Sequence, residues 1–168
     1  MKKQIFKTIL ILGIIWLFVS LNLKSNAIYY AAHMPKGKYR VAEAMMAIDN
    51  MESLSDESVE GYRRRRDGYN ILYRLGTPFL FNNYRFYKEG SFYTYRNLRK
   101  SYFIDKQGSI LREYNHENHE KRELNFSDQK QVYEEIQSFI QPIVDKQDKP
   151  IINLQWLFNL LNDKRFND

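Results

Sequence analysis

Cysteine is absent from this chain, which excludes disulfides, thiolate metal sites and a cysteine nucleophile while leaving the redox compartment open. Glycine is scarce, with seven in 168 residues, and these seven form neither a Gly-rich phosphate loop nor a nucleophile elbow. No paired-carboxylate arrangement, internal repeat or low-complexity tract stands out either. An enzyme therefore has no positive support in the sequence, although acids and bases can converge from distant positions. No cofactor is implied.

What the chain does contain is bulk and an apolar N-terminus. Aromatic residues make up 15% of it, enough for the core of one domain of this length. Lys2, Lys3 and Lys7 precede an uncharged run from Thr8 to Leu23, followed by Lys24-Ser25-Asn26-Ala27. Sixteen residues is long for a signal-peptide core and short of the ~20 that comfortably span a bilayer, so a signal cleaved after Ala27 and a retained anchor both fit. Either places the body outside the cytoplasm, in the periplasm or tethered to the outward side of the cytoplasmic membrane. Residues 1–27 are expected to serve export alone, and residues 28–168 to form a single domain.

Charge is unevenly spread over that domain. Residues 61–112 carry 12 Lys/Arg against 3 Asp/Glu, whereas residues 28–60 have 3 against 6 and residues 113–168 have 7 against 11. Two readings fit a basic centre between acidic flanks: acidic helices fold back over a basic sheet, or the centre meets an anionic ligand.

Local signals divide the chain further. Residues 36–54 read as a helix, with Val41, Met45 and Ile48 on one side and the methionines as core filler. Residues 53–60 form a polar loop leading to Arg63, Arg64, Arg65 and Arg66, a solvated helical approach or a contact for an anionic group. Asp67 can cap a short helix on which Ile71, Leu72 and Leu75 share a face, and Gly76-Thr77-Pro78 stops it. Residues 84–88, 91–97, 100–105 and 109–114 then read as strands. Glu89-Gly90 and Asp105-Lys106-Gln107-Gly108 supply the turns of an antiparallel meander. Alternation in the second strand puts Phe92, Thr94 and Arg96 on one face and Tyr93, Tyr95 and Asn97 on the other. His116 and His119 are three apart, but neither the H-E-x-x-H order nor a third ligand accompanies them, so no metal is assigned. Ser127 opens a helix carrying Val132, Ile136, Phe139, Ile140 and Ile143, kinked at Pro142. Residues 153–162 form a last helix with Leu154, Leu157, Phe158, Leu160 and Leu161 to bury, and Trp156 either packs or meets a membrane or partner.

Leu75-Gly76-Thr77-Pro78 after a short helix, then Phe92-Tyr93-Thr94-Tyr95-Arg96, then Tyr102-Phe103-Ile104-Asp105-Lys106-Gln107-Gly108-Ser109-Ile110, resembles the SmpA/OmlA/BamE family of small exported proteins that assist outer-membrane assembly. The resemblance covers residues 67–114. It implies a helix before a three-stranded antiparallel sheet, with Ile71 as that helix's buried aliphatic residue. Members are usually lipoproteins anchored through a cysteine, which this chain lacks.

Together these signals predict an α+β domain, a meander of three or four strands with helices on one face, behind an apolar export or anchor helix. A long helix wrapped by a curved sheet, cystatin-like or NTF2-like, is the competing fold. The function the resemblance implies is a non-enzymatic envelope protein that binds another envelope component, in outer-membrane protein assembly or envelope maintenance; the basic centre points to an acidic envelope protein or anionic lipid as that component. An exported hydrolase or inhibitor module is the alternative. Arg63, Arg64, Arg65 and Arg66 are the first binding candidates, with Tyr93, Tyr95 and Arg96 from the aromatic strand. Nucleic acid is not expected outside the cytoplasm.

Overall fold

A computed structural model describes residues 2–51, 62–65, 71–74 and 84–167. The chain forms an antiparallel sheet of seven strands, β1 (Tyr62–Arg65), β2 (Ile71–Arg74), β3 (Arg85–Glu89), β4 (Phe92–Arg96), β5 (Lys100–Ile104), β6 (Ile110–Asn115) and β7 (Lys121–Glu123), each beside its neighbour in sequence. Among the described residues five helices accompany it: α1 (Lys2–Ser25), α2 (Ala27–His33), α3 (Ala42–Asp49), α4 (Phe126–Val144) and α5 (Gln155–Phe166). The class is the expected α+β meander with helices on one face. Among the described residues the strands number seven rather than three or four.

The extra strands come from three places where local signals misled. Ile71–Arg74 is a strand, not the end of a capped helix, because Ile71, Leu72 and Tyr73 register against Tyr87, Phe86 and Arg85 of β3. That pairing buries Leu72 and leaves Ile71 half-buried, so the helical spacing of Ile71 and Leu72 gives way to period-two alternation. Arg63, Arg64 and Arg65 likewise lie in β1, paired with β2, instead of forming a helical approach. At the other edge, three charged residues make β7, held by backbone pairing with β6. The loop expected at 53–60, Arg66 and the Gly76-Thr77-Pro78 stop lie outside the described residues.

Strands β3 to β6 fall within a residue or two of expectation, and so do their turns. Gly90 takes a φ of +60° between β3 and β4. Gly108, at φ +86°, is doubly required: a Cβ there would stand 3.2 Å from the Met45 sulfur and 3.2 Å from the Val41 nitrogen. Asp105 Oδ1 accepts the N–H groups of Gln107 and Ser109 at 2.9 and 2.8 Å, and Val41 N donates to Gly108 O, so this hairpin is seated on the start of α3.

One face of the sheet, carrying Leu72, Phe86, Tyr93, Tyr95, Tyr102 and Ile104, packs on α3 and α4. Phe139 of α4 meets Tyr95 and Tyr62 edge-on, each at 5.6 Å. Helix α3 is shorter than the expected 36–54 span and is buried from Ala42 to Ile48, its methionines filling the core as expected. Asn125, two residues before the expected start, caps α4 by accepting Asp128 N, and the helix ends two residues after Pro142.

Two expectations about the ends change. In α5 only Phe158 and Phe166 are buried, while Trp156, Leu160 and Leu161 stand in solvent. At the N-terminus, packing begins inside the segment assigned to export. Ala27 is 3% exposed, Leu23 packs against the core, and the Tyr30 hydroxyl donates to Asn22 Oδ1 at 2.7 Å. Upstream of that contact α1 is mostly exposed, and its Lys3–Ser25 span is long and apolar enough to cross a membrane.

Candidate functional site

Strand alternation sends every second side chain of the sheet away from the helices. The register aligns those residues in two rows. The first runs Tyr73, Arg85, Arg96, Ser101, Tyr114, Lys121, and the second runs Ile71, Tyr87, Thr94, Phe103, Arg112, Glu123. Six strands at normal spacing make each row about 24 Å long. No acidic residue stands in the first row, and the second has one at its end.

Cations and rings interleave across this face. The guanidinium of Arg85 lies over Tyr87 at 5.4 Å, that of Arg112 over Phe103 at 5.1 Å, and Lys121 Nζ over Tyr114 at 5.9 Å. Arg85 and Arg96 are directly opposite one another, a like-charge pair that destabilises a sheet unless something neutralises it. The Nε atoms of both are buried without a hydrogen-bond partner, and neither side chain is in an ion pair among the described residues. An unsatisfied buried donor costs about 1–3 kcal/mol. Two arginines directly opposite each other thus each keep a buried Nε without a partner.

His116 lies near this pair, on Ser101, which stands opposite Arg96. Its Nε2 is 2.9 Å from Ser101 Oγ, its backbone N–H donates to Arg99 O, and its ring meets Tyr114 edge-on at 5.0 Å. Burial lowers the pKa of His116, and the charges of Arg96, Arg85 and His119 push it the same way. A carboxylate or phosphate placed on the arginines would reverse the second effect.

On the helix-covered face the cations are already satisfied. Asp49 accepts Lys88 Nζ at 2.8 Å, Tyr93 OH at 2.7 Å and Arg165 Nη2 at 3.0 Å. Burial alone would raise the Asp49 pKa, but hydrogen bonds from Lys88, Tyr93 and Arg165 outweigh it and hold the carboxyl below its usual range. Glu113 similarly takes Lys100 at 3.1 Å and Arg122 at 2.6 Å, and Arg122 continues to Asp128 at 2.7 Å. Acidic flanks thus cover part of the basic centre, one of the two arrangements the charge pattern allowed. A cleft of about 550 Å³ beside Asp49 is lined by Lys88, Lys106, Lys164 and Arg165, and its Tyr93 hydroxyl is committed to Asp49.

Of the sequence candidates whose side chains are described, Arg96 lies on the open face. Tyr93 and Tyr95 point the other way, into the core, with their hydroxyls on Asp49 and Glu135. Arg63, Arg64 and Arg65 occupy edge strand β1, and Arg66 lies outside the described residues. Arg85, Ser101, Phe103 and Arg112 were missed; the signal for them is the alternation already read in β4, carried through the register to its neighbours. Among the described residues, no group of three metal-ligating side chains converges. No family model matches the chain, and the searches of curated proteins and of solved structures likewise found no match.

Proposed function

We propose that this chain is a non-enzymatic envelope protein, exported and held to the cytoplasmic membrane by α1, whose open sheet face receives an acidic segment of another envelope protein. The observation that carries the reading is the Arg85–Arg96 pair, two arginines directly opposite each other, each with a buried Nε lacking a partner, on a face that no described helix covers. Arginine's planar fork suits a carboxylate or phosphate held by two bonds. A row about 24 Å long suits an extended chain better than a single headgroup. Resemblance of residues 67–114 to the SmpA/OmlA/BamE family adds an envelope context, although Ile71–Arg74 is a strand where the resemblance implies a helix.

Three observations support a retained, outward-facing anchor. Lys2, Lys3 and Lys7 precede the apolar run and Lys24 alone follows it closely, the bias that keeps an N-terminus in the cytoplasm. Ala27 is buried, and Asn22 is bonded into the fold, so cleavage after Ala27 would remove packed residues.

Site-specific photo-crosslinking in growing cells tests the function. A crosslinker at Phe103 should yield discrete protein adducts that disappear with Arg85→Ser/Arg96→Ser, while one at Gln137 on the helix side should not. Adducts indifferent to the two arginines, or none at Phe103, overturn the reading. The Ser101–His116 hydrogen bond favours a second reading, a hydrolase with Ser101 as nucleophile and His116 as base. Among the described residues no carboxylate is bonded to the other His116 nitrogen to orient it. Labelling of Ser101 by a fluorophosphonate probe, lost with His116→Gln, would establish that reading in place of the first.

A further inference from the structure

The apolar side chains left in solvent by α5 lie beside the point where α1 leaves its uncharged run. Asn22, in the last turn before Lys24, donates from Nδ2 to Ile152 O at 3.1 Å and accepts the Tyr30 hydroxyl. The same hydroxyl accepts Leu154 N at 3.1 Å, and Gln155 Nε2 donates to Tyr30 O at 2.8 Å. These bonds fix residues 152–155 at the depth where a spanning helix would emerge from hydrocarbon.

Four large apolar side chains project from that segment and the residues beside it. Ile151 is fully exposed, Ile152 about half, Trp156 65% and Leu160 70%. On α5, Trp156 and Leu160 are four apart and share one side, opposite the buried Phe158 and Phe166. Lys164 continues that side one turn on, and Lys149 precedes it, both exposed. Tryptophan and leucine flanked by lysine is the composition of a helix lying in a headgroup layer, and tryptophan concentrates at that depth. A soluble acidic partner would find little here to pair with, because the centre of the patch is uncharged.

We propose that α5 and the 150–153 loop rest on the bilayer that α1 spans, with Ile151, Ile152, Trp156 and Leu160 in the headgroup region of the leaflet at which α1 emerges. The body is then seated on the membrane, not swung from a free tether. This rests on α1 being a retained span, and a single experiment separates the two claims because the chain has only two tryptophans, Trp16 in α1 and Trp156.

The full-length chain is reconstituted in vesicles of phosphatidylglycerol and phosphatidylethanolamine with bromines placed either near the headgroup or near the chain ends. With Trp16→Phe, Trp156 emission should be blue-shifted and quenched more strongly by shallow than by deep bromines. Ile152→Glu/Leu160→Glu should return it to an unquenched, water-like spectrum. With Trp156→Phe, Trp16 should be quenched by deep bromines whether or not the two glutamates are present. Water-like, unquenched Trp156 beside a quenched Trp16 overturns the seating alone. Trp156 that is blue-shifted yet unquenched also overturns it, because protein rather than lipid then covers the patch. Unquenched Trp16 overturns the anchor, and the seating falls with it.

Discussion

On the helix-covered face of the sheet, the Tyr93 and Tyr95 hydroxyls go to Asp49 and Glu135, and Lys88, Lys100 and Arg122 each find a carboxylate. On the other face, Arg85 and Arg96 stand opposite each other without an acid, among Tyr87, Phe103 and Tyr114. Both faces draw on the same residue types in the same strands. The difference lies in where the acids are: Asp49, Asp128 and Glu135 come from helices α3 and α4, which lie on one side only, and Glu113 of β6 turns toward that same side. Composition therefore does not tell a structural basic residue from an available one. The side of the pleat and the position of the helices do.

Substitutions on the two faces should separate these roles. Phe139→Ala, which empties a fully buried contact between Tyr95 and Tyr62, should have the largest effect, lowering unfolding free energy by about 3–5 kcal/mol in chemical denaturation. A loss comparable to that of an open-face substitution would break the comparison. Next, Asp49→Asn should cost about 1.5–3 kcal/mol at neutral pH, because three charge-assisted or hydroxyl hydrogen bonds lose their anion. The Asp49 carboxyl is held below its unfolded value, so its contribution is fully present above about pH 4 and is lost as pH falls through the folded pKa. The gap between wild type and Asp49→Asn should therefore narrow below about pH 4; a constant gap would mean the charge is not what stabilises.

Smaller effects are expected on the open side. Ile71→Ala, at a half-buried strand position in row two, should cost about 1 kcal/mol or less, not the several kcal/mol due a buried helical aliphatic. Arg85→Ser should leave stability unchanged or raise it by up to about 1 kcal/mol, since it removes a like-charge neighbour. A clear loss of stability would mean that Arg85 is structural after all.

How far the sequence foretold this arrangement depends on how local each signal was. Turns at Gly90 and Gly108, the four central strands and α4 could be read from residues within a few positions of one another. Strand β2 could not, because Ile71 and Leu72 fit helical and extended spacing equally well and only β3 decides between them. Strand β7 has no apolar residue to announce it and depends on β6 and on Arg122 bridging Glu113 and Asp128. The candidate site suffered most. Arg96 was found, but its neighbours Arg85 and Ser101 belong to other strands, and they join it only once the register is fixed.

His116 offers the most direct test, because its ring beside Ser101 feels the charge of Arg85 and Arg96. In NMR titrations of the full chain in nanodiscs, its pKa should begin below the usual histidine value of about 6.5. It should rise when a glutamate-rich peptide is added, and rise without peptide in Arg85→Ser/Arg96→Ser, where the peptide then has no further effect. A His116 that titrates normally and ignores both the peptide and the arginines would contradict the claim that this face is a prepared anion site.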